Sequence, residues 1–276
     1  SMTWIWGKIY LRVASRGKGM ARERLGYPMG SFGEVFDVLG ERVSRQGGDV
    51  HISAGVNRVL VEDNNATGLE VQLADGEAEP RNYDAVIATA PSYIFTSLVP
   101  GLPNDYQEKL VNVQYLSAVV VILILDRPLT GKYWISIADR DLPFVGIIEH
   151  TNMIDRSLYG GHHIVYLTNY PDWDSELYQK SAEELVEEFV PHLRQMNPEF
   201  DPSWIIEYHH HKVDGAQPII GTNYSQRIPD HRTPIKNLYL ANTTQIYPED
   251  RGTNYSVRMG RQVARMVMED AGVPID

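Results

Sequence analysis

The sequence predicts an α+β protein with α/β character at its two ends, and three observations carry that reading. An amphipathic helix, a Gly-Gly stop and several short strands occupy residues 31–89. Four strands follow one another over 115–169 with no helix between them, which suits a mixed or antiparallel sheet better than strand–helix alternation. A short strand, a loop and one long helix close the chain over 238–268.

Each element has a local reason. Ser31 followed by Glu34 is a capping-box signature, and Gly30 lets the backbone turn tightly into the helix. Phe32, Val35, Phe36, Leu39 and Val43 recur at helical spacing until Gly47 and Gly48 end the run. Short strands are predicted at 49–52 and 56–61. The second turns at Asp63, Asn64 and Asn65 into an alternating strand at 69–73. Residues 84–89 read as a buried strand running into Ala90 and Pro91. Helices are predicted at 92–98 and 106–111, then strands at 115–125, 133–138, 144–149 and 164–169, punctuated by Asp, Pro and Gly. An amphipathic helix at 181–193 carries Glu183, Glu184, Glu187 and Glu188 on its wet side, a solvated face and not a metal site. A strand at 204–211 follows. At the start, an amphipathic helix (Trp4, Ile5, Ile9, Leu11) precedes a basic stretch of Arg12, Arg16, Lys18, Arg22 and Arg24. That stretch is readable as an anion site or, more simply, as a solvated face.

Composition narrows the classes. With 276 residues and 43% hydrophobic content the chain can bury one large core or two smaller ones. A net charge of -11 argues against a nucleic-acid partner, because phosphate binding needs clustered Lys and Arg. The absence of cysteine removes disulfides and thiolate chemistry and fits a reducing compartment, so the cytoplasm is the expected location. The most apolar run, 116–125, is half the length of a membrane helix, and its Val and Ile favour a buried strand, so no membrane span is expected. In the triplet at 209–211, His209 and His211 share one strand face while His210 points away. Two imidazoles need a third ligand to hold a metal, and no H-x-E or C-x-x-C pattern supplies one. These residues, like His162 and His163, read as structural or surface groups, and no metal is expected.

Two stretches together carry a resemblance. The first runs from the helix through Gly-Gly, the V-x-R-V strand at Val56 to Val59 and a hairpin ending in Asp-Gly, to DAVIATAP at residues 84–91. The second is NLYLANTTQIYPEDRGTNYSVRMGRQVARMV near the C-terminus. The chain resembles the flavin-containing amine oxidases and protoporphyrinogen oxidases, and their relative UDP-galactopyranose mutase. The resemblance implies a split FAD-binding domain beside a substrate domain whose mixed or antiparallel sheet is covered by helices. Residues 31–91 would be the middle segment of the FAD domain and 236–276 its last. Residues 92–235 would form the substrate domain, and 2–30 the segment leading into it.

By position in that family, Val56 would meet the adenine edge of FAD with its backbone, and Ala90 and Pro91 would form the turn leaving the FAD domain. Asn242 and Thr243 would lie at the carboxyl end of the closing strand, near the ribityl-pyrophosphate. Thr253, Asn254 and Tyr255 would open the last helix beside the flavin pyrimidine, with Val257, Gly260 and Ala264 packed on the sheet. Ala216 and Pro218 match a strand end that passes over the flavin into the substrate cavity. Lys212 is the one lysine near it and a weak catalytic candidate, equally readable as a strand-edge residue. Arg251 and Arg258 are candidate substrate-binding residues.

Two departures stand out. Where the family has Gly-Asp this chain has Ala241-Asn242, so a carboxylate is missing. The strand and G-x-G-x-x-G that open a complete member are also missing, since Gly26, Gly30 and Gly33 have neither the spacing nor a preceding strand. The chain therefore reads as a C-terminal portion of an FAD-dependent oxidoreductase, acting on a small-molecule substrate by hydride transfer from a C–N or C–C bond. Alone it is expected to hold FAD weakly or not at all and to be inactive. Apolar sheet edge left exposed would favour self-association into a homo-oligomer. Two alternatives stay open: a flavin-dependent nucleotide-sugar mutase, which Arg251 and Arg258 would suit, and a cofactor-free binding fragment.

Overall fold

A computed structural model of the chain describes residues 2–14, 26–74 and 76–274. In chain order the elements of the first part are α1 (Met2–Ala14), α2 (Ser31–Arg45), β1 (Gly55–Glu62), β2 (Asn65–Gln72), β3 (Glu79–Asn82), β4 (Val86–Ala88), α3 (Ser92–Leu98) and α4 (Asn104–Val111). There follow β5 (Tyr115–Leu125), β6 (Trp134–Ser136), β7 (Gly146–Glu149), β8 (His163–Asn169), α5 (Glu176–Gln179), α6 (Ala182–Phe189) and β9 (Ile205–Pro218). The chain closes with β10 (Leu238–Leu240) and α7 (Thr253–Asp270). Helices and mixed parallel and antiparallel sheets make this an α+β fold. It divides into two compact units, Gln114–Ile219 and the rest.

The larger unit joins the two ends of the chain. β1, β2 and β3 form an antiparallel sheet, and Asp63 and Asn64, both at positive φ, make the tight turn between the first two. Gly68 is obligatory, because a Cβ there would strike the Arg81 carbonyl on β3. β4 pairs in parallel with β10, Val86 opposite Leu238 and Ala88 opposite Leu240. The hairpin is tied to the approach of β10: Ala66 N–H donates to the Lys236 carbonyl at 2.9 Å and Asn237 Nδ2 to Asn65 Oδ1 at 2.9 Å. Phe95, Leu110, Ile235, Leu238 and Leu240 are buried together with Val59. A second cluster, Tyr239, Ala241, Ile246, Met259 and Val263, seats α7 on β10.

The Gln114–Ile219 unit is a five-stranded antiparallel sheet in the order β6-β7-β8-β5-β9. β5 alternates as a half-covered strand must: Val119, Val121, Leu123 and Leu125 are fully buried and the residues between them are half-buried. Leu185, Phe189 and Leu193 cover that face. Ser181 and Glu184 form a complete capping box at the start of α6, and Pro191 marks the change to the 3₁₀ turn Val190–Gln195. Buried Glu149 accepts from the N–H groups of Leu129 and Thr130, at 2.9 and 2.7 Å, and from the Thr130 hydroxyl.

Several expectations are corrected. Residues 49–52 form no strand: no described strand pairs with them, and Ile52 is 86% exposed. β3 was not foreseen, its Pro80 and charged residues being typical of an edge strand. No residue of α2 is buried, and Phe32, 47% exposed, meets the Tyr27 ring edge-on with 5.7 Å between ring centres. Its expected capping box does not form: the N-cap is Gly30, with no side-chain cap. Ser31, at φ 82°, accepts from the Gly33 N–H at 3.2 Å, and the Ser31 N–H goes to the Pro28 carbonyl. The compact unit Gln114–Ile219 lies within residues 92–235. α3, α4 and Ile235 share a core with β10 and so belong to the terminal unit. Of the wet glutamates, Glu188 pairs with Lys180 at 2.6 Å and Glu184 serves the cap. Among the described residues no group of His, Asp or Glu is placed to hold a metal, and no helix is long and apolar enough to cross a membrane. Arg16, Lys18, Arg22 and Arg24 lie outside the described residues.

One contact gives a pH dependence. The buried Tyr239 hydroxyl donates to Asp270 at 2.7 Å, and burial followed by that carboxylate pushes its pKa up to about 12. An unfolded tyrosine titrates near about 10. A raised folded value means that this contribution is complete below about pH 10 and lost as pH rises through about 12. Tyr239→Phe is expected to flatten the fall in unfolding free energy across that interval. Denaturant titrations at several alkaline pH values check this, and equal slopes for both proteins would contradict it.

Candidate functional site

In open α/β sheets ligands sit beyond the carboxyl ends of parallel strands. The β4–β10 pair ends at Ala90 and Asn242, and a buried polar node joins the two ends. Asn242 is 4% exposed, and its Nδ2 donates to the Ala90 carbonyl at 3.0 Å and to Ser92 Oγ at 3.3 Å. Its Oδ1 accepts from the Thr244 N–H at 3.1 Å and the Thr244 hydroxyl at 2.5 Å. Its backbone N–H donates to Gln245 Oε1 at 3.0 Å, completing a capping box over Thr243–Gln245. From the side, the Tyr224 hydroxyl donates to the Thr244 carbonyl at 2.6 Å. Sequence reasoning missed Ser92, Tyr224, Thr244 and Gln245, although Asn242 with Gln245 three residues on is a readable capping signature. Both amide hydrogens, the amide oxygen and the backbone N–H of Asn242 are all engaged within the chain.

The start of α7 lies on the same cluster, because Tyr255 packs against the group containing Ala241 and Ile246. Gly252 precedes the helix with no side-chain cap, and Thr253 and Asn254 are exposed at its first turn. The first N–H groups of a helix have no partner inside it and carry the positive end of its dipole. The node and the helix start thus bring Ala90, Pro91, Asn242, Thr243 and Tyr255 into one neighbourhood, with Thr253 and Asn254 at its edge.

Arg251 is half-buried beside the helix start, and its Nε is buried with no hydrogen-bond partner. Burial lowers its pKa, partly offset by Tyr224 and Asp250. Arg258 instead stacks over Tyr255, 4.7 Å from the ring centroid, and pairs with Glu249 at 2.8 Å. The packed face of α7 is Met259 and Val263, supported by Met266 and Val267. Val257, Gly260 and Ala264 were expected on the sheet but are exposed, and a Cβ on Gly260 would meet nothing within 4 Å.

Val56 lies on β1, the edge strand of its sheet, paired with Val71 beside an irregularity that sets Asn57 out of register. Ala216, Pro218 and Lys212 lie on β9 in the other unit. Lys212 Nζ donates to the Lys180 carbonyl at 2.6 Å and lies 5.3 Å from the centre of the Tyr178 ring. That is a structural tether. The exposed His209 lies by Glu207 at 3.3 Å, while His210 faces the opposite side.

The flavin containing amine oxidoreductase family matches residues 18–268. The chain belongs to that family. Solved structures with the same fold include three oxidoreductases or relatives. An oxidoreductase from Methanosarcina mazei matches with TM-score 0.63 and 19% identity, covering 86% of this chain and 54% of its own. A protein assigned as a protoporphyrinogen oxidase, from Exiguobacterium sp. 255-15, gives 0.68 and 14%, over 87% and 51%. Putrescine oxidase with putrescine bound gives 0.65 and 18%, over 87% and 53%. A reduced UDP-galactopyranose mutase is also similar, at 0.58 and 16%, over 75% and 45%. The chain spans about half the length of these proteins. No curated protein matches it.

The residues of this family member fit a flavin unevenly. The open helix start suits an electron-rich carbonyl, and the β1 edge leaves backbone free beside Val56. The Asn242 amide and N–H do not fit, because their donors and the amide oxygen are already engaged. Asn242→Ala is expected to cost about 2–4 kcal/mol by stranding the Thr244 N–H and the Ala90 carbonyl. Asn242→Asp, which restores the family acid, is also expected to destabilise, since a carboxylate cannot donate to Ala90. Chemical denaturation of both variants tests this. A neutral Asn242→Asp would show that the amide donors are dispensable.

Proposed function

We propose that this chain supplies the flavin-ring and substrate-facing parts of an FAD-dependent oxidoreductase of the amine oxidase type. The observation that carries this reading is the uncapped start of α7 at the carboxyl ends of the β4–β10 pair. In this reading the Thr253 and Asn254 N–H groups and the helix dipole orient the pyrimidine edge of the flavin, with Tyr255, whose N–H is held by the Gly252 carbonyl at 3.0 Å, packed beside them. Val56 meets the adenine edge with its backbone, and Ala90, Pro91 and Thr243 shape the floor between. When bound, the flavin supplies the chemistry by accepting a hydride at N5 from a C–N or C–C bond of the substrate. Ala216 and Pro218 stand at the substrate wall. There the open face of the five-stranded sheet presents a row of registered neighbours, Trp134, Ile148, Tyr166, Ile122 and His209.

A second reading, a nucleotide-sugar mutase, is favoured by one observation. The Arg251 guanidinium, buried at Nε without a partner, suits a phosphate oxygen better than an alkylamine. The oxidase and mutase readings separate by whether substrate bleaches the bound flavin in air or turns over only after dithionite reduction.

The chain alone is expected to hold FAD weakly. Losing several charge-assisted hydrogen bonds of about 1.5–3 kcal/mol each moves a tight site toward the millimolar range. Thr253→Pro removes one N–H at a position where helices tolerate proline, and is expected to weaken FAD about tenfold with the melting temperature unchanged. Titration calorimetry and the flavin absorbance retained after desalting provide the measurement. Stoichiometric yellow protein would overturn the weak hold, and FAD binding indifferent to Thr253→Pro would overturn the placement at α7.

A further inference from the structure

The outer face of α7 carries a basic chemistry of its own, in a groove that reaches Asn254 at the helix start. Arg258, Arg261 and Arg265 recur at i, i+3 and i+7, so they share a face and rise along it in steps of roughly a helical turn. With Arg232 from the loop before β10 they line a groove of about 670 Å³, floored by Val257 and Met266. That volume lies within the range of small-molecule sites.

The charges there are unequally satisfied. Arg232 is held by Asp270 at 2.7 Å and Glu269 at 3.3 Å, and Arg258 by Glu249 at 2.8 Å. Arg261 and Arg265 have no ion pair or hydrogen bond among the described residues, and Glu269, the one acid of the lining, is already committed to Arg232. Two uncompensated guanidinium groups thus face one concavity in a chain whose net charge is -11. Such an excess is not a general property of this surface. It is focused where two planar forks can converge on neighbouring oxygens.

We propose that this groove binds the diphosphate of a small-molecule ligand, with Arg261 and Arg265 taking the phosphate oxygens, Arg258 at the rim, and Val257 and Met266 receiving the less polar remainder. A diphosphate matches the site in charge, and its two phosphoryl groups can each engage one of two guanidinium groups whose backbone positions are about 6 Å apart along the axis. Arg232 and Arg258, pinned by their carboxylates, define the walls and leave little room for the ligand to slide.

The probe is inorganic pyrophosphate, titrated by calorimetry into the full chain, the Arg261→Gln/Arg265→Gln double variant and Thr253→Pro. Pyrophosphate is expected to bind the wild type, at least about tenfold more weakly to the double variant, and equally to Thr253→Pro, with melting temperatures unchanged. Orthophosphate is expected to bind more weakly than pyrophosphate. The proposal is overturned if pyrophosphate gives no binding heat, or if the double variant binds it as the wild type does. It is equally overturned if Thr253→Pro removes the binding, because the anion would then sit at the helix start and belong to the flavin reading. Sedimentation closes the remaining route: a wild-type oligomer that the double variant dissolves, with no effect of pyrophosphate, would assign the groove to an acidic surface of a second copy.

Discussion

The parallel contact between β4 and β10 is three residues long on each side, yet it joins parts of the chain about 150 positions apart. Loop closure over such a distance is entropically costly and grows only slowly with further length, so the contacts that secure it must act together. They do so at both ends of the pair. Before it, Ala66, Asn65 and Asn64 bind Lys236, Asn237 and Pro234. Beyond it, Asn242 closes on Ala90, Ser92 and Thr244. Between them Leu238 and Leu240 are buried in one cluster and Tyr239 in the other, so this short strand contributes to two cores. Everything that places the start of α7 follows from this junction.

The junction also commits the Asn242 amide and N–H to the fold. A buried amide with every donor and acceptor engaged is rigid, and it is costly to leave any one partner unmade. The helix start at Thr253 has the opposite character, with the Thr253 and Asn254 N–H groups open and an arginine whose Nε lacks a partner. Stability and availability are thus divided between neighbouring segments. That division is the physical basis for placing ligand chemistry at α7.

Much of this architecture could be read from residue patterns. The alternation of β5 and the Asp63-Asn64 turn are local signals, and both elements formed at the expected places. The pairing of the segment ending in Ala90 with that ending in Asn242 was suggested by two separated motifs, each weak by itself. What local pattern could not give was burial. The apolar spacing of α2 predicted a packed face, but spacing says which residues share a side and not whether anything covers it. Residues 49–52 had strand-like composition and no neighbour to pair with, and a strand is defined by its partner. At the site, the hydrogen bonds of Asn242 and the exposure of Val257, Gly260 and Ala264 were out of reach for the same reason. Their positions in the motif were visible, but their contacts depend on Ser92, Thr244 and the rotation of α7 about its axis.

The exposed side of α2 has a consequence for how the protein behaves in bulk. Phe32, Phe36 and Leu39 form an apolar ridge in water, and ridges of this kind attract one another at short range. Opposing this near neutral pH is the longer-ranged repulsion between molecules of like charge, here -11 per chain. The repulsion vanishes near the isoelectric point, about 5.3, while the apolar attraction does not. Mild acidification or added salt therefore removes the colloidal barrier while leaving the apolar attraction in place. Precipitation of this chain near its isoelectric point reflects the surface of a folded molecule and carries no information about the strength of its core.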